Sequence, residues 1–326
     1  MSYYWESDRR FNSWSTYAQK KYGSRLQKVS LNAGFSCPNR DGTIGYGGCT
    51  YCNNEGFNPS YCDSEKPIPE QLDKGIDFLK KRYKKASKFI AYFQAYTNTY
   101  GPVELLEKKY NEALAHKDIV GISVGTRPDC VDEEKLDLLK KLSEKYFVFL
   151  ELGVESCYND TLERINRGHT FEQSRKAIQL AAERDLHITA HLIFGLPGES
   201  RQQMLAQAKI ISELPITGIK FHQLQIISGT KVAEQYFSNT EQFDLFEMDE
   251  YIEFITAFTE RLAPWIFIER FCGETPPRFN MGKRWEKTKY DQVLKRIEEK
   301  LEQKNTWQGK YFKKNEHGFD TSAAII

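Results

Sequence analysis

Cys37, Cys49 and Cys52 stand in the arrangement C-x11-C-x2-C, within a glycine-rich stretch that runs from Asn32 to Cys52. Three thiols on one loop are soft donors suited to a metal. The cysteines alone leave two chemistries open. With Cys62, ten residues on, four thiolates would close a tetrahedral structural zinc site. Alternatively, three thiolates hold an iron–sulfur cluster and leave one iron open to another molecule. The surrounding residues favour the second: glycines at 34, 42, 45, 47 and 48 let backbone turn sharply and approach a cluster closely. Tyr51 adds an aromatic ring between the last two thiols. Cys130, Cys157 and Cys272 have no close CxxC partner and read as small buried apolar groups, although Cys130 and Cys157 follow strand ends and can also face the site.

The elements that must position this loop alternate regularly. Apolar runs rich in Val, Ile and Phe predict strands at Leu26 to Leu31, Lys88 to Ala95, Ile119 to Thr126, Phe147 to Glu155, Ile188 to Gly195 and Ile219 to Ile227, each followed by a helical pattern. Strand and helix in alternation point to a parallel sheet. Runs such as Phe147 to Leu150 are apolar throughout, as strands covered on both faces should be. The expected fold is α/β, a partial (β/α)6 barrel of the TIM type with a C-terminal α/β extension, though an open doubly wound sheet shows the same alternation. Pro69 with Glu70, Pro102, and Asp132 with Glu133 and Glu134 mark helix starts, where Pro and acidic side chains are favoured. In parallel α/β folds sites assemble at the C-terminal ends of strands. The cysteine loop follows the first of them.

The chain has 326 residues, 46 Lys and Arg against 45 Asp and Glu, and 40% hydrophobic residues. That balance excludes a disordered or collagen-like chain. Seven cysteines at this length are too sparse and too clustered for a disulfide framework. No apolar run approaches the roughly 18 residues of a membrane span, and the polar, aromatic start lacks a signal-peptide core, so a cytoplasmic protein is expected. The division expected is 1–230 for the barrel core, 231–314 for an extension packed on it and 315–326 for a loose tail. Residues 281–314 hold 11 Lys and Arg and 5 Asp and Glu, a local net of +6 from 11 minus 5. This basic end is either a solvated helix face or a surface for a polyanion.

From about Ser24 to Gly309 the sequence resembles the radical S-adenosylmethionine (SAM) enzymes, most of all the YhcC-like bacterial proteins and then the radical SAM domain of the elongator catalytic subunit. The resemblance implies that Cys37, Cys49 and Cys52 hold a [4Fe-4S] cluster whose open iron chelates the amino and carboxylate groups of SAM. Tyr51 then lies near the adenine. Gln94 to Tyr100 matches the segment that orients the methionyl amine, which implicates Thr97 and Asn98. The segment Glu151 to Ser156 implicates Glu155 at the ribose. Asn166 to His169 implicates Arg167 at the SAM carboxylate by ion pairing, and His191 to Glu199 implicates His191 at the ribose. Gln223 to Thr230 places Ile226 beside the adenine, and Thr126 to Asp129 recurs in the elongator-like group and otherwise reads as a capped turn.

The implied reaction is reductive cleavage of SAM to methionine and a 5'-deoxyadenosyl radical, followed by hydrogen abstraction from substrate. Electrons would come from a reductant such as flavodoxin or ferredoxin, with no membrane involved. Resemblance to the elongator subunit, the basic end, and Trp285, Trp307, Tyr311 and Phe312 interleaved with Lys and Arg favour tRNA, at a wobble uridine, through stacking and phosphate pairing. The competing readings are radical chemistry on a small metabolite and a non-catalytic zinc-binding protein.

Overall fold

Seven short apolar runs line up as one parallel sheet in the computed structural model, which describes residues 3–23, 25–56, 58–84, 86–282, 285 and 288–313. The strands are β1 Leu26–Leu31, β2 Lys88–Phe93, β3 Ile119–Thr126, β4 Phe147–Glu155, β5 His187–Phe194, β6 Gly218–Gln223 and β7 Phe267–Arg270. They pair in chain order from β1 to β7. The helices are α1 Trp14–Tyr22, α2 Ile68–Arg82, α3 Val103–Leu114, α4 Glu133–Ser143, α5 Asn159–Arg164, α6 Phe171–Ala182, α7 Arg201–Ser212, α8 Lys231–Ser238, α9 Met248–Thr259 and α10 Tyr290–Gln303. Helix starts follow local chemistry: Pro67 precedes α2 with Pro69 in its first turn, Pro102 precedes α3, and the Asp132 carboxylate accepts from the Lys135 amide at the start of α4.

The expected barrel is therefore present, with three differences. The apolar run Trp265 to Phe271 carries a seventh strand, because Phe267–Arg270 continues the sheet beside β6. β2 stops at Phe93, short of Ala95. β6 stops at Gln223 because the segment beyond it pairs with the extension instead: Met281 N donates to Ile226 O at 2.7 Å and Ser228 N to Phe279 O at 2.8 Å.

Side chains on strands alternate between faces, and the inward-facing ones form three layers. At the bottom, Leu26, Ile90, Phe149 and Phe267 close around Trp14 and Ala18 of α1, which plugs that end with apolar surface. In the middle lie Lys28, Tyr92, Ser123, Glu151, Thr189, Lys220 and Glu269. Above them Gln94, Gly125, Gly153, His191, His222 and Arg270 line a cavity. The sheet curls enough for Lys28 Nζ of β1 to reach Glu269 Oε2 of β7 at 2.6 Å, although these are the two ends of the strand order.

His187, at the start of β5, stacks on Phe149 with ring centroids 5.3 Å apart. Burial lowers its pKa from 6.5 to about 4. The neutral ring is therefore fully compatible with the fold above pH 6.5, and stability is lost as pH falls toward the folded value. His187→Phe is expected to remove at most about 2 kcal/mol of the acid destabilisation between pH 6.5 and 5. Urea unfolding of both proteins at pH 5 and 7 measures this, and equal acid losses would contradict it.

Candidate active site

The loop after β1 carries the three cysteines to the top of the barrel. It folds back through Gly42 N to Gly45 O at 3.1 Å and Gly48 N to Asn39 O at 2.8 Å. Gly48 is required there: its φ is +78°, and a Cβ would lie 2.8 Å from Arg40 Nε. Cys37, Cys49 and Cys52 all line one cavity of about 330 Å³, and all three are free thiols. Burial and the neighbouring Cys49 push the Cys52 thiol up to about 11, with Arg40 acting against them. Arg40 Nη2 also donates to Cys52 O at 2.8 Å.

Cys62 lies apart from this group. It does not line the cavity, and its thiol donates to Ser30 O at 3.1 Å. Cys62 is thus placed apart from the three thiols that share the cavity, with its own thiol turned to a strand carbonyl. Cys130, Cys157 and Cys272 are buried, also outside the cavity lining. Burial, together with Asp129 and against Arg127, pushes the Cys130 thiol up to about 12.

Of the other residues expected at the site, Tyr51, Thr97, Glu155, Arg167 and His191 line the same cavity. Arg167 is buried; its Nη1 approaches Cys49 Sγ at 3.4 Å, its Nη2 donates to Gly153 O at 2.6 Å, and its Nε has no partner. Glu155 Oε1 lies 3.4 Å from the same guanidinium. A bulge in β4 between Gly153 and Glu155 brings this carboxylate round to Arg167. Tyr51 is held well above the usual phenol range by burial first and then by Cys49 and Glu155.

Asn98 and Ile226 are placed differently. Asn98 Nδ2 donates to Phe93 O at 3.1 Å and Gly125 O at 2.8 Å, joining the ends of β2 and β3 behind the cavity wall. Ile226 is fully buried, with its carbonyl taken by Met281, and neither residue lines the cavity. Thr126 to Asp129 is a turn with a positioning role: Arg127 donates to both Asp129 oxygens at 2.9 and 2.8 Å, and its Nη1 holds Arg167 O at 2.7 Å.

The middle layer was not expected from the sequence, although its residues are visible there. Lys28 contacts Glu151 at 2.5 Å and Glu269 at 2.6 Å; Lys220 contacts Glu151 and, at 3.5 Å, Glu269. The four charges cancel. Ser123 and His191 also hydrogen-bond Glu151, His191 at 2.8 Å, and Thr189 donates to Glu269 at 2.8 Å. Burial alone would raise the Glu151 carboxyl, but Lys220, Lys28 and the His191 hydrogen bond hold it well below the usual range. The available signal was a charge in the middle of an otherwise apolar strand, as at Glu151 and Lys220, because such residues are rarely buried unless paired.

At the basic end, part of the charge is already matched. Arg296 pairs with Asp249, and Lys300 and Lys304 pair with Glu253 at 2.5 Å each, across α9 and α10. Trp285 packs on Tyr251 and donates to Phe246 O at 3.0 Å, while Phe312 packs on Trp265. Those two aromatic rings serve the core, whereas Tyr311 is exposed. Lys283, Arg284, Lys314 and the 315–326 segment lie outside the described residues.

Residues 37–209 match the radical SAM superfamily, and residues 216–303 match the radical SAM C-terminal domain. YtqA of Bacillus subtilis is 33% identical over 96% of this chain and 96% of its own length. YhcC of Escherichia coli K12 is 43% identical over 67% of this chain and 69% of its own. A tRNA uridine(34) acetyltransferase of Methanocaldococcus jannaschii is 30% identical over 52% of this chain, which spans only 31% of that protein. Among solved structures, Elp3 of Methanocaldococcus infernus superposes with a TM-score of 0.65 at 20% identity, over 87% of this chain and 64% of that one, and shows the same fold. Among the described residues no helix is long and apolar enough to cross a membrane. The chain belongs to the radical SAM superfamily of enzymes, which work with a [4Fe-4S] cluster, SAM and an external reductant.

Proposed function

We propose that Cys37, Cys49 and Cys52 hold the cluster, that SAM lies between them and Arg167, and that the substrate is a uridine of tRNA. The observation that carries the cofactor assignment is that three free thiols and a buried guanidinium line one cavity. The donor set fits: thiolates suit iron, and the unpartnered Arg167 Nε suits an anionic group such as the SAM carboxylate. When bound, the cluster and SAM supply an electron and a 5'-deoxyadenosyl radical that takes hydrogen from substrate.

The chain's own residues position these groups. Arg127 fixes the Arg167 backbone, Gly153 O and Glu155 orient its guanidinium, and Arg40 secures the Cys52 carbonyl. Gly153 makes room for this arrangement, since a Cβ there would stand 2.5 Å from Glu155 Oε1 and 2.6 Å from Arg167 Nη2. Gly153→Ala is expected to weaken SAM binding about tenfold, or about 1.4 kcal/mol. Equilibrium dialysis of the reconstituted protein measures it; unchanged affinity would show that the Glu155 and Arg167 side-chain ends give way without loss of SAM binding.

The tRNA reading is supported by similarity to the uridine-modifying enzymes over the shared domain and by the exposed basic positions that remain at the C-terminal end, among them Lys289 and Lys313. Comparison of tRNA nucleosides from cells with and without this protein tests it. One uridine derivative present only with the protein is expected. Identical nucleoside profiles would transfer the assignment to a small metabolite.

A further inference from the structure

A bulge in β7 aims a second charged residue into the barrel. Ile219 pairs with Ile268 and Lys220 with Arg270, so Glu269 is the extra residue. Two consecutive side chains, Glu269 and Arg270, then face inward where regular alternation would allow one. Glu269 is consumed by Lys28, Lys220 and Thr189. Arg270 lies one layer higher and lines the cavity.

Charge accounting separates Arg270 from its neighbours. Lys28 and Lys220 are matched by Glu151 and Glu269, Arg127 by Asp129, and Arg167 by Glu155. Arg40, the other cavity cation without a carboxylate partner, is engaged on the cysteine side, where it donates to Cys52 O and faces the Cys52 and Cys37 thiols. Arg270 forms no ion pair with any described residue, and its Nε is buried without a partner. Its Nη2 meets a ring nitrogen of His222 at 3.0 Å. Burial, with Arg270, His191 and Lys220 adding to it, holds the His222 imidazolium well below its usual range, so His222 is a neutral partner. The loop after β7 is fixed alongside: Gln223 and Gln225 donate to Gly273 O at 3.0 and 3.1 Å, and Gly273 N donates to Gln223 Oε1 at 2.9 Å. Glu274 also lines this wall, but its Oε1 accepts from Tyr290 N at the start of α10.

Arg270 is half-buried, with its Nε shut off from solvent. A guanidinium so desolvated without a counter-charge is costly, and the planar fork of arginine matches carboxylate and phosphate oxygens. We infer that Arg270, supported by His222, is the subsite for an anionic group of the substrate, a phosphate or carboxylate, held in the same cavity as SAM. The assignment rests on that cavity being the reaction chamber. It gives the bulge a purpose: without the extra residue at 269, one inward position would have to serve both the ion quartet and the ligand.

The test is isothermal titration of the reconstituted, SAM-loaded protein with inorganic phosphate and, separately, acetate at constant ionic strength. Saturable one-to-one binding of at least one anion is expected, weakened tenfold or more in Arg270→Gln and by a smaller factor in Arg270→Lys, which keeps the charge but not the planar fork. Preference for phosphate or acetate identifies the group. No saturable binding of either anion to the wild-type protein, or equal binding by Arg270→Gln with its cluster absorbance intact, overturns the inference. So does phosphate binding that SAM abolishes, which would assign Arg270 to SAM. Dithionite-dependent 5'-deoxyadenosine formation by the same wild-type sample reports separately on the radical SAM reading.

Discussion

Replacing Cys37, Cys49 or Cys52 singly by Ala is expected to abolish both the absorbance near 400 nm of an iron–sulfur cluster and dithionite-dependent release of 5'-deoxyadenosine, taking activity to background. Cys62→Ala is expected to keep both. The difference follows from placement: the first three thiols share one cavity, whereas Cys62 is occupied with the Ser30 carbonyl outside it. Iron and sulfide analysis after anaerobic reconstitution supplies the second readout. Loss of the cluster in Cys62→Ala, or its retention in Cys49→Ala, would contradict the assignment.

The largest effect on stability is expected at Glu151. Glu151→Gln keeps the shape but leaves Lys28 and Lys220 sharing only Glu269. Removing one partner from a buried ion network costs about 3–5 kcal/mol, because the remaining charges stay desolvated. Pairing the change with Lys220→Met removes one charge of each sign and leaves Lys28 with Glu269, so the double variant should recover much of the loss. Urea unfolding of the apoprotein gives both values; a Glu151→Gln cost below about 1 kcal/mol would show that water or relaxation already screens the network. The pH dependence has a definite sign. The Glu151 carboxyl is depressed in the fold by Lys220 and Lys28, so its contribution is complete above the ordinary carboxylate range and lost on acidification.

The β/α order was readable because the central strands are buried on both faces and therefore nearly continuous in apolar residues, as in Phe147 to Leu150 of β4. The cysteine loop was readable because its ligands are close in sequence. Residues whose partners are distant were harder to place. Lys28 meets Glu269 across 241 positions, and only the curl of the sheet brings them together. β7 escaped notice because it is four residues long and its bulge breaks the alternation. Asn98 has the polarity of a ligand contact, and both of its donors are used on strand-end carbonyls while its Oδ1, the atom that could accept from an amine, is buried without a partner. Ile226 follows β6, but its side chain is buried in the core and its carbonyl pairs with Met281, while the preceding Leu224 and Gln225 line the cavity.

The plug at the bottom of the barrel also constrains the order in which the molecule can be assembled. Trp14 packs on Phe149 and Phe267, Ile268 N donates to Asn12 O at 2.7 Å, and the Gln308 side chain accepts from Asn12 N at 2.9 Å. The first helix therefore waits for partners that are synthesised about 250 residues after it. At about 5–20 residues per second, the roughly 250 residues between them correspond to an interval on the order of ten to fifty seconds. For that time β1 and the cysteine loop have emerged from the ribosome while the floor beneath them is still open.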